Sequence, residues 1–168
     1  VQKALAIIHD NLTTFPAEKV PLEKATGRIL RETIVADRAF PPFHRAERDG
    51  IALAYAAFEE GHRTFAIEGV QAAGIPQKKL QNRLACMEIM TGAPLPDGTD
   101  TVVMYEDLQI QNGQAMLKTD AVQPSQHVHA KGADRQKGAN IIEPGKQLTA
   151  AEIGIIASVG KSTVQVSA

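Results

Sequence analysis

The chain has 168 residues, 43% of them hydrophobic, with 18 Lys and Arg against 19 Asp and Glu for a net charge of -1. That balance, without a block of like charge, argues against a nucleic-acid or anionic-membrane partner, and no apolar run approaches the ~20 residues of a membrane span. One cysteine, Cys86, rules out an internal disulfide, and the start lacks a signal-peptide pattern, so a cytoplasmic setting is expected.

Val1, Ala4, Leu5, Ile7, Ile8 and Leu12 share one face of a first helix, which should dock on something. After Phe15-Pro16, residues 21–25 predict a short helix with proline in its first turn and Gly27 just past its end. Residues 28–36 predict a strand, stopped by the stiff crossing Phe40-Pro41-Pro42-Phe43. The next stretch, HRAERDG at 44–50, reads as a polar loop whose Asp49-Gly50 turn leads into an apolar strand start, Ile51 to Ala54. Residues 64–70, 84–90 and 102–105 predict further strands. Residues 108–118 alternate around Asn112-Gly113, the strongest short hairpin signal. The middle third is thus a small, mostly antiparallel β unit.

Residues 85–107, ACMEIMTGAPLPDGTDTVVMYED, organise that unit. Two prolines and two glycines between apolar runs specify a loop of defined shape. Within it stand the Thr91 hydroxyl and two carboxylates, Asp97 and Asp100. A wide connection and a functional loop both satisfy this composition.

Residues 121–140 are polar and irregular, with His127, His129, Lys131, Arg135 and Lys137. The cations suit an anionic ligand or a solvated surface equally. His127 and His129 are two apart, which on a strand shares one face, but two ligands without a third are weak evidence for a metal. Thr149 and Glu152 form a capping box that starts a helix over Ile153, Ile155, Ile156 and Val159, ended by Gly160, and residues 162–167 predict a last strand. The expected class is α+β. A helical or mixed domain built from both chain ends, residues 1–47 and 120–168, would carry an inserted β domain, residues 48–119.

The series GRIL, PPF followed by DG, IMTGAPLPDGTDTVVMYED, Gly132-x-Asp134-x-x-x-Gly138 and LTAAEIGIIASVG resembles, in matching order, the N-terminal half of the molybdopterin molybdenumtransferase family, which includes the E domain of gephyrin. The resemblance implies a domain I made from both ends and a β domain II inserted between them. A larger molybdopterin-binding domain and a C-terminal β domain follow in the family and are not in these residues. It also implies an enzyme that inserts molybdate into adenylylated molybdopterin with Mg2+, in a cleft shared between the subunits of a homodimer. Asp49 matches the aspartate of the family's DNSAMDGYA motif and Thr91 the threonine of MTGAP, which implies catalytic roles for both.

By the same resemblance, Asp49 is a metal ligand, and Thr91, Gly92 and Asp134 bind the molybdopterin-type ligand. The chemistry is sensible: a carboxylate oxygen suits a hard cation, a hydroxyl can donate to an oxyanion, and a glycine-rich turn can offer N–H groups. Asp97 and Asp100 read as turn-formers. The first motif departs from the pattern, since His44-Arg45-Ala46-Glu47-Arg48-Asp49-Gly50-Ile51-Ala52 keeps only Asp49, Gly50 and Ala52. His127 and His129 stand for the family's asparagine and arginine, and Ala133 for a glutamate. Two readings follow: a piece of a molybdenum-insertion enzyme supplying scaffold, dimer contact and one wall of the site, or a divergent, non-catalytic scaffold for molybdopterin or a protein partner.

Overall fold

A computed structural model describes residues 2–12 and 15–168. In chain order these form α1 (Gln2–Asp10), β1 (Ala17–Pro21), β2 (Ile34–Val35), β3 (Arg45–Ala46), β4 (Gly50–Leu53), α2 (Tyr55–Glu59), β5 (Thr64–Gln71) and β6 (Ala85–Ile89). Then come β7 (Thr101–Met104), β8 (Leu108–Gln111), β9 (Gln114–Leu117), β10 (Val128–His129), β11 (Asn140–Ile142), α3 (Ala150–Ser158) and β12 (Thr163–Ser167). Single 3-10 turns at Leu22–Lys24 and Tyr105–Asp107 complete the set. This is a β-rich protein with few helices, where an α+β class was expected. The chain ends contribute two helices, α1 and α3, and four short paired strands, β1, β2, β11 and β12.

The chain divides into two compact units, residues 1–38 with 137–168 and residues 39–136. Sequence reading set these limits at 47/48 and 119/120. The inserted unit takes in both flanks because β3 pairs with β10, Val128 opposite Ala46 and His129 opposite Arg45. Adjacent strand sequences give no hint of a pairing this far apart.

In the terminal unit β1 pairs antiparallel with β12 and β2 with β11. The strand expected over 28–36 shrinks to β2. Its first half is extended but divides its hydrogen bonds, Leu30 N–H donating to Lys146 and Arg31 N–H to Gln165. Leu30, Ile34, Leu148, Ile156, Val164 and Val166 are fully buried and make its core. The capping box forms as expected, with the Thr149 hydroxyl and N–H both donating to Glu152 and the Ala151 N–H donating back to Thr149. The first helix forms too, but among the described residues none of α1 is buried, and Leu5, Ile7 and Ile8 are exposed. Val1, counted in the same face, lies outside the described residues.

The inserted unit is a six-stranded mixed sheet in the order β7-β4-β6-β5-β9-β8. Only β5 and β6 run parallel within it. Alternation along the strands builds a core on each face. Ile51 and Leu53 of β4 join Phe65, Cys86, Val103 and Leu117 on one face, while Ala52 joins Ala46, Ile89, Leu95 and Val102 on the other. The β8–β9 hairpin turns at Asn112 (φ 52°) and Gly113 (φ 73°), the pair of positive angles that an Asn-Gly turn supplies. Among the described residues no helix is long and apolar enough to cross a membrane.

Candidate functional site

Strand β4 runs antiparallel to both β6 and β7, so its start lies beside their ends. Gly50 is paired with Ile89 on one side and Met104 on the other. This topology carries Asp49, the residue before β4, to Thr91, two residues beyond β6. Asp49 Oδ1 accepts the Thr91 N–H at 2.6 Å and the Thr91 hydroxyl at 2.8 Å. The backbone bond foremost, then the hydroxyl, holds the Asp49 carboxyl below its usual range. The Thr91 proton, expected to serve an oxyanion, is therefore directed at Asp49 in this conformation. Oδ2 of Asp49 has no partner among the described residues.

The loop after Thr91 owes its shape to backbone pairing with the 44–46 segment. Gly92 N–H donates to Ala46 O at 2.9 Å, Ala46 N–H to Ala93 O at 3.0 Å, and Leu95 N–H to His44 O at 2.9 Å. Gly92 takes φ 81°, a left-handed angle that costs glycine nothing. Its N–H is thus engaged inside the protein, where a role toward an anion was expected. Gly98 (φ 89°) and the Thr99 hydroxyl, which donates to Pro96 O at 2.8 Å, turn the loop's far end. The two aspartates act otherwise than expected. Asp97 takes part through its backbone, and Asp100 Oδ1 accepts the Tyr55 N–H at 2.7 Å at the start of α2.

Asp49 and Thr91 open onto a cleft of about 310 Å³ lined also by Arg48, Met104, Tyr105 and Glu106. Tyr105 donates its phenol proton to Glu88 Oε2 at 2.7 Å. Burial first, then the Glu88 bond and charge and the Asp49 charge, push its pKa up and keep it a neutral donor. Sequence reading missed this pair. Its signal is the side-chain parity of β6, which places Glu88 on the same face as buried Cys86. That thiol is itself pushed up to about 12 by burial, so it is no nucleophile.

Asp134 does not line this cleft. It lies in a second cluster, where His129 Nε2 is 2.9 Å from Asp134 Oδ1 and His129 Nδ1 is 3.3 Å from Glu47 Oε1. His127 precedes β10 with φ 55°, so the two histidines do not share a strand face as expected. Among the described residues no group of three or more His, Cys, Asp or Glu could hold a metal ion. Asp49 and Glu106 are the carboxylates that line the cleft, and these two do not by themselves make a divalent-cation centre.

If the Thr91 hydroxyl contributes to the acidity of Asp49, Thr91→Val will raise the Asp49 pKa toward the ordinary carboxylate value while the backbone bond keeps part of the shift. Carboxyl ¹³C titration reads this directly. Because the folded-state pKa is depressed, the Asp49–Thr91 tie is present above the ordinary carboxylate pKa and is lost as pH falls through the folded value. A titration unchanged by Thr91→Val would show that the N–H does all the work.

The fold and these residues define a discontinuous β-rich module, one unit split by an inserted mixed-sheet unit whose strand ends carry a paired acid and hydroxyl. The chain belongs to the family described as the MoeA N-terminal region, domains I and II, whose model matches residues 1–160. It is 36% identical over 167 residues to a molybdopterin molybdenumtransferase of Synechocystis, covering 99% of this chain and 43% of that protein. Gephyrin of Dictyostelium discoideum is 32% identical over 179 residues, covering 95% of this chain and 24% of gephyrin. A crystal structure titled as a molybdopterin biosynthesis MoeA protein from Pyrococcus horikoshii superposes with a TM-score of 0.84 at 30% identity, covering 99% of this chain and 43% of that one. The chain therefore spans less than half the length of these relatives.

Proposed function

We propose that this chain is the N-terminal part of a molybdenum cofactor biosynthesis protein that inserts molybdate into adenylylated molybdopterin. Its share of the work is scaffold, homodimer contact and one wall of a site completed by residues outside this chain. The observation that carries the reading is the Asp49–Thr91 pair, set by three strand ends at the mouth of a cleft. Thr91 fixes the rotamer and charge of Asp49, leaving Oδ2 presented to the cleft. From this chain a Mg2+ ion would gain the Asp49 carboxylate, with Glu106 and Tyr105 also lining the cleft. A cytoplasmic location goes with the same reading.

The test uses the complete parent protein, supplied with adenylylated molybdopterin and molybdate. Asp49→Asn is expected to lower insertion by about 10²-fold, and Thr91→Val by about tenfold, through loss of a positioned charged group and of the bond that orients it. The 168-residue chain alone is expected to give no turnover. Full activity in both variants, or turnover by the chain alone, would overturn the proposal. One observation favours a second reading, a non-catalytic scaffold: Thr91 and Gly92 already direct their donors into the protein. On that reading, the parent binds molybdopterin and both variants leave the binding unchanged.

A further inference from the structure

We propose that Tyr105 is a positioning residue for the Asp49–Thr91 pair: its phenol, anchored on Glu88, and its backbone N–H, bonded to Asp49, close a circuit that holds these strand ends together. Asp49 Oδ1 accepts the N–H and the hydroxyl of Thr91. Thr91 stands three residues beyond Glu88, a residue of β6 whose Oε2 accepts the Tyr105 hydroxyl at 2.7 Å. The Tyr105 N–H then donates to the Asp49 carbonyl oxygen at 3.4 Å, one step past the Gly50–Met104 pair. At that length the backbone bond is the weakest member of the set, so the turn that bears it depends on its side-chain anchor.

Sheet order gives the anchor its reach. The strands run β7-β4-β6, Tyr105 follows β7, and Glu88 lies opposite Ile51 of β4. To reach Glu88 the ring passes over the start of β4, where it packs against the core face that holds Ile51, Cys86 and Val103. The phenol thus ties the two outer strands together across the end of the middle one, beside Asp49.

Tyr105 lines the same cleft as Asp49 and Thr91, and Glu88 is not among its lining residues. Because the phenol proton is committed to Glu88, Tyr105 acts on the cleft through Asp49 and not by donating to a ligand. A phenol–carboxylate bond is charge-assisted and stronger than a neutral one. Burial and then the Glu88 bond push the pKa of Tyr105 up, so the anchor keeps its proton. The effect on insertion rests on the reading of the cleft given above; the circuit itself does not.

The test compares Tyr105→Phe, Glu88→Leu and Glu88→Gln with the unaltered 168-residue chain by NMR hydrogen exchange. Tyr105→Phe keeps the ring on the core and removes only the donor. Exchange at the Thr91 amide should accelerate about tenfold in Tyr105→Phe and in Glu88→Leu, the contribution of one hydrogen bond. In Glu88→Gln an amide oxygen still accepts the phenol proton, so exchange should stay within about twofold of the unaltered chain. The double variant Tyr105→Phe with Glu88→Leu should be no worse than the worse single one, since both remove the same bond. Leu117 of β9, two strands from β6, should exchange as before, which separates local release from general loss of stability.

Thr91 exchange that is unchanged in Tyr105→Phe, or that rises in step with Leu117, would overturn the proposal. So would Glu88→Gln behaving as Glu88→Leu, or a double variant whose effects add. Should Glu88→Leu fail to fold, Tyr105→Phe and Glu88→Gln decide the matter. In the complete parent, Tyr105→Phe should lower kcat for insertion about tenfold and leave KM within about twofold, because a support of the site is lost and no contact to the ligand. Full kcat in Tyr105→Phe beside a reduced one in Asp49→Asn would overturn the positioning role. Full kcat in both would overturn the reading of the cleft instead, and the Thr91 amide would still decide the circuit.

Discussion

Gly50→Ala is expected to unfold the inserted unit or to destabilise it by more than about 3 kcal/mol, beyond the usual cost of an overpacked core. A Cβ at residue 50 would sit 1.9 Å from the Val103 carbonyl oxygen and 2.9 Å from the Met104 Cα. These are backbone atoms, so no rotamer change relieves the clash. Gly50 also lies in a strand paired on both sides, with Ile89 and Met104 opposite it, so relief requires β7 to leave β4. The glycine is demanded here by close approach and not by a left-handed backbone angle. Thermal unfolding followed by circular dichroism should show a fall in Tm of about 10 °C or more, given about 4–8 °C per kcal/mol for a unit of this size. A Tm within a few degrees of the parent would mean that β4 and β7 can separate at little cost. Any folded remnant should lose the Asp49–Thr91 bonds, since the same shift moves the residue before Gly50.

How much of this was legible in the sequence depends on the range over which each feature is determined. The Asn112-Gly113 hairpin and the Thr149–Glu152 box are local, each set by residues within a few positions, and both form as expected. Asp49 and Thr91 could be singled out from two short motifs, but their mutual bond could not. It follows from β4 lying between β6 and β7, a fact about three separated strands. The same distance hid the β3–β10 pair and the contact of His129 with Glu47. The first helix shows the converse failure. Its apolar face predicts burial, but a periodic pattern says only that a surface is suited to packing and does not supply the partner.

Gln71→Leu is expected to cost about 2–4 kcal/mol, although leucine nearly matches glutamine in volume. Gln71 is fully buried at the end of β5, and it works as a set of donors and an acceptor. Its Oε1 accepts the Lys78 N–H at 2.8 Å, and its amide nitrogen donates to the carbonyls of Ala72, Ile75 and Pro76 at 3.3, 3.5 and 3.3 Å. One side chain thus closes the loop between β5 and β6, and leucine would leave that N–H and those carbonyls without the partner the glutamine supplies. The damage should spread along a defined route. Lys78 O accepts the Asp97 N–H at 2.8 Å, Asp97 O accepts the Leu80 N–H at 2.9 Å, and the Gln77 side chain donates to Leu95 O at 2.7 Å. Hydrogen exchange at Lys78, Leu80 and Asp97 should accelerate ahead of global unfolding, while Thr91, held by Asp49, keeps its protection. If exchange at Asp97 stays slow, the proline-glycine loop holds its own shape. If it accelerates, the shape read from residues 91–98 depends on a glutamine twenty positions before Thr91.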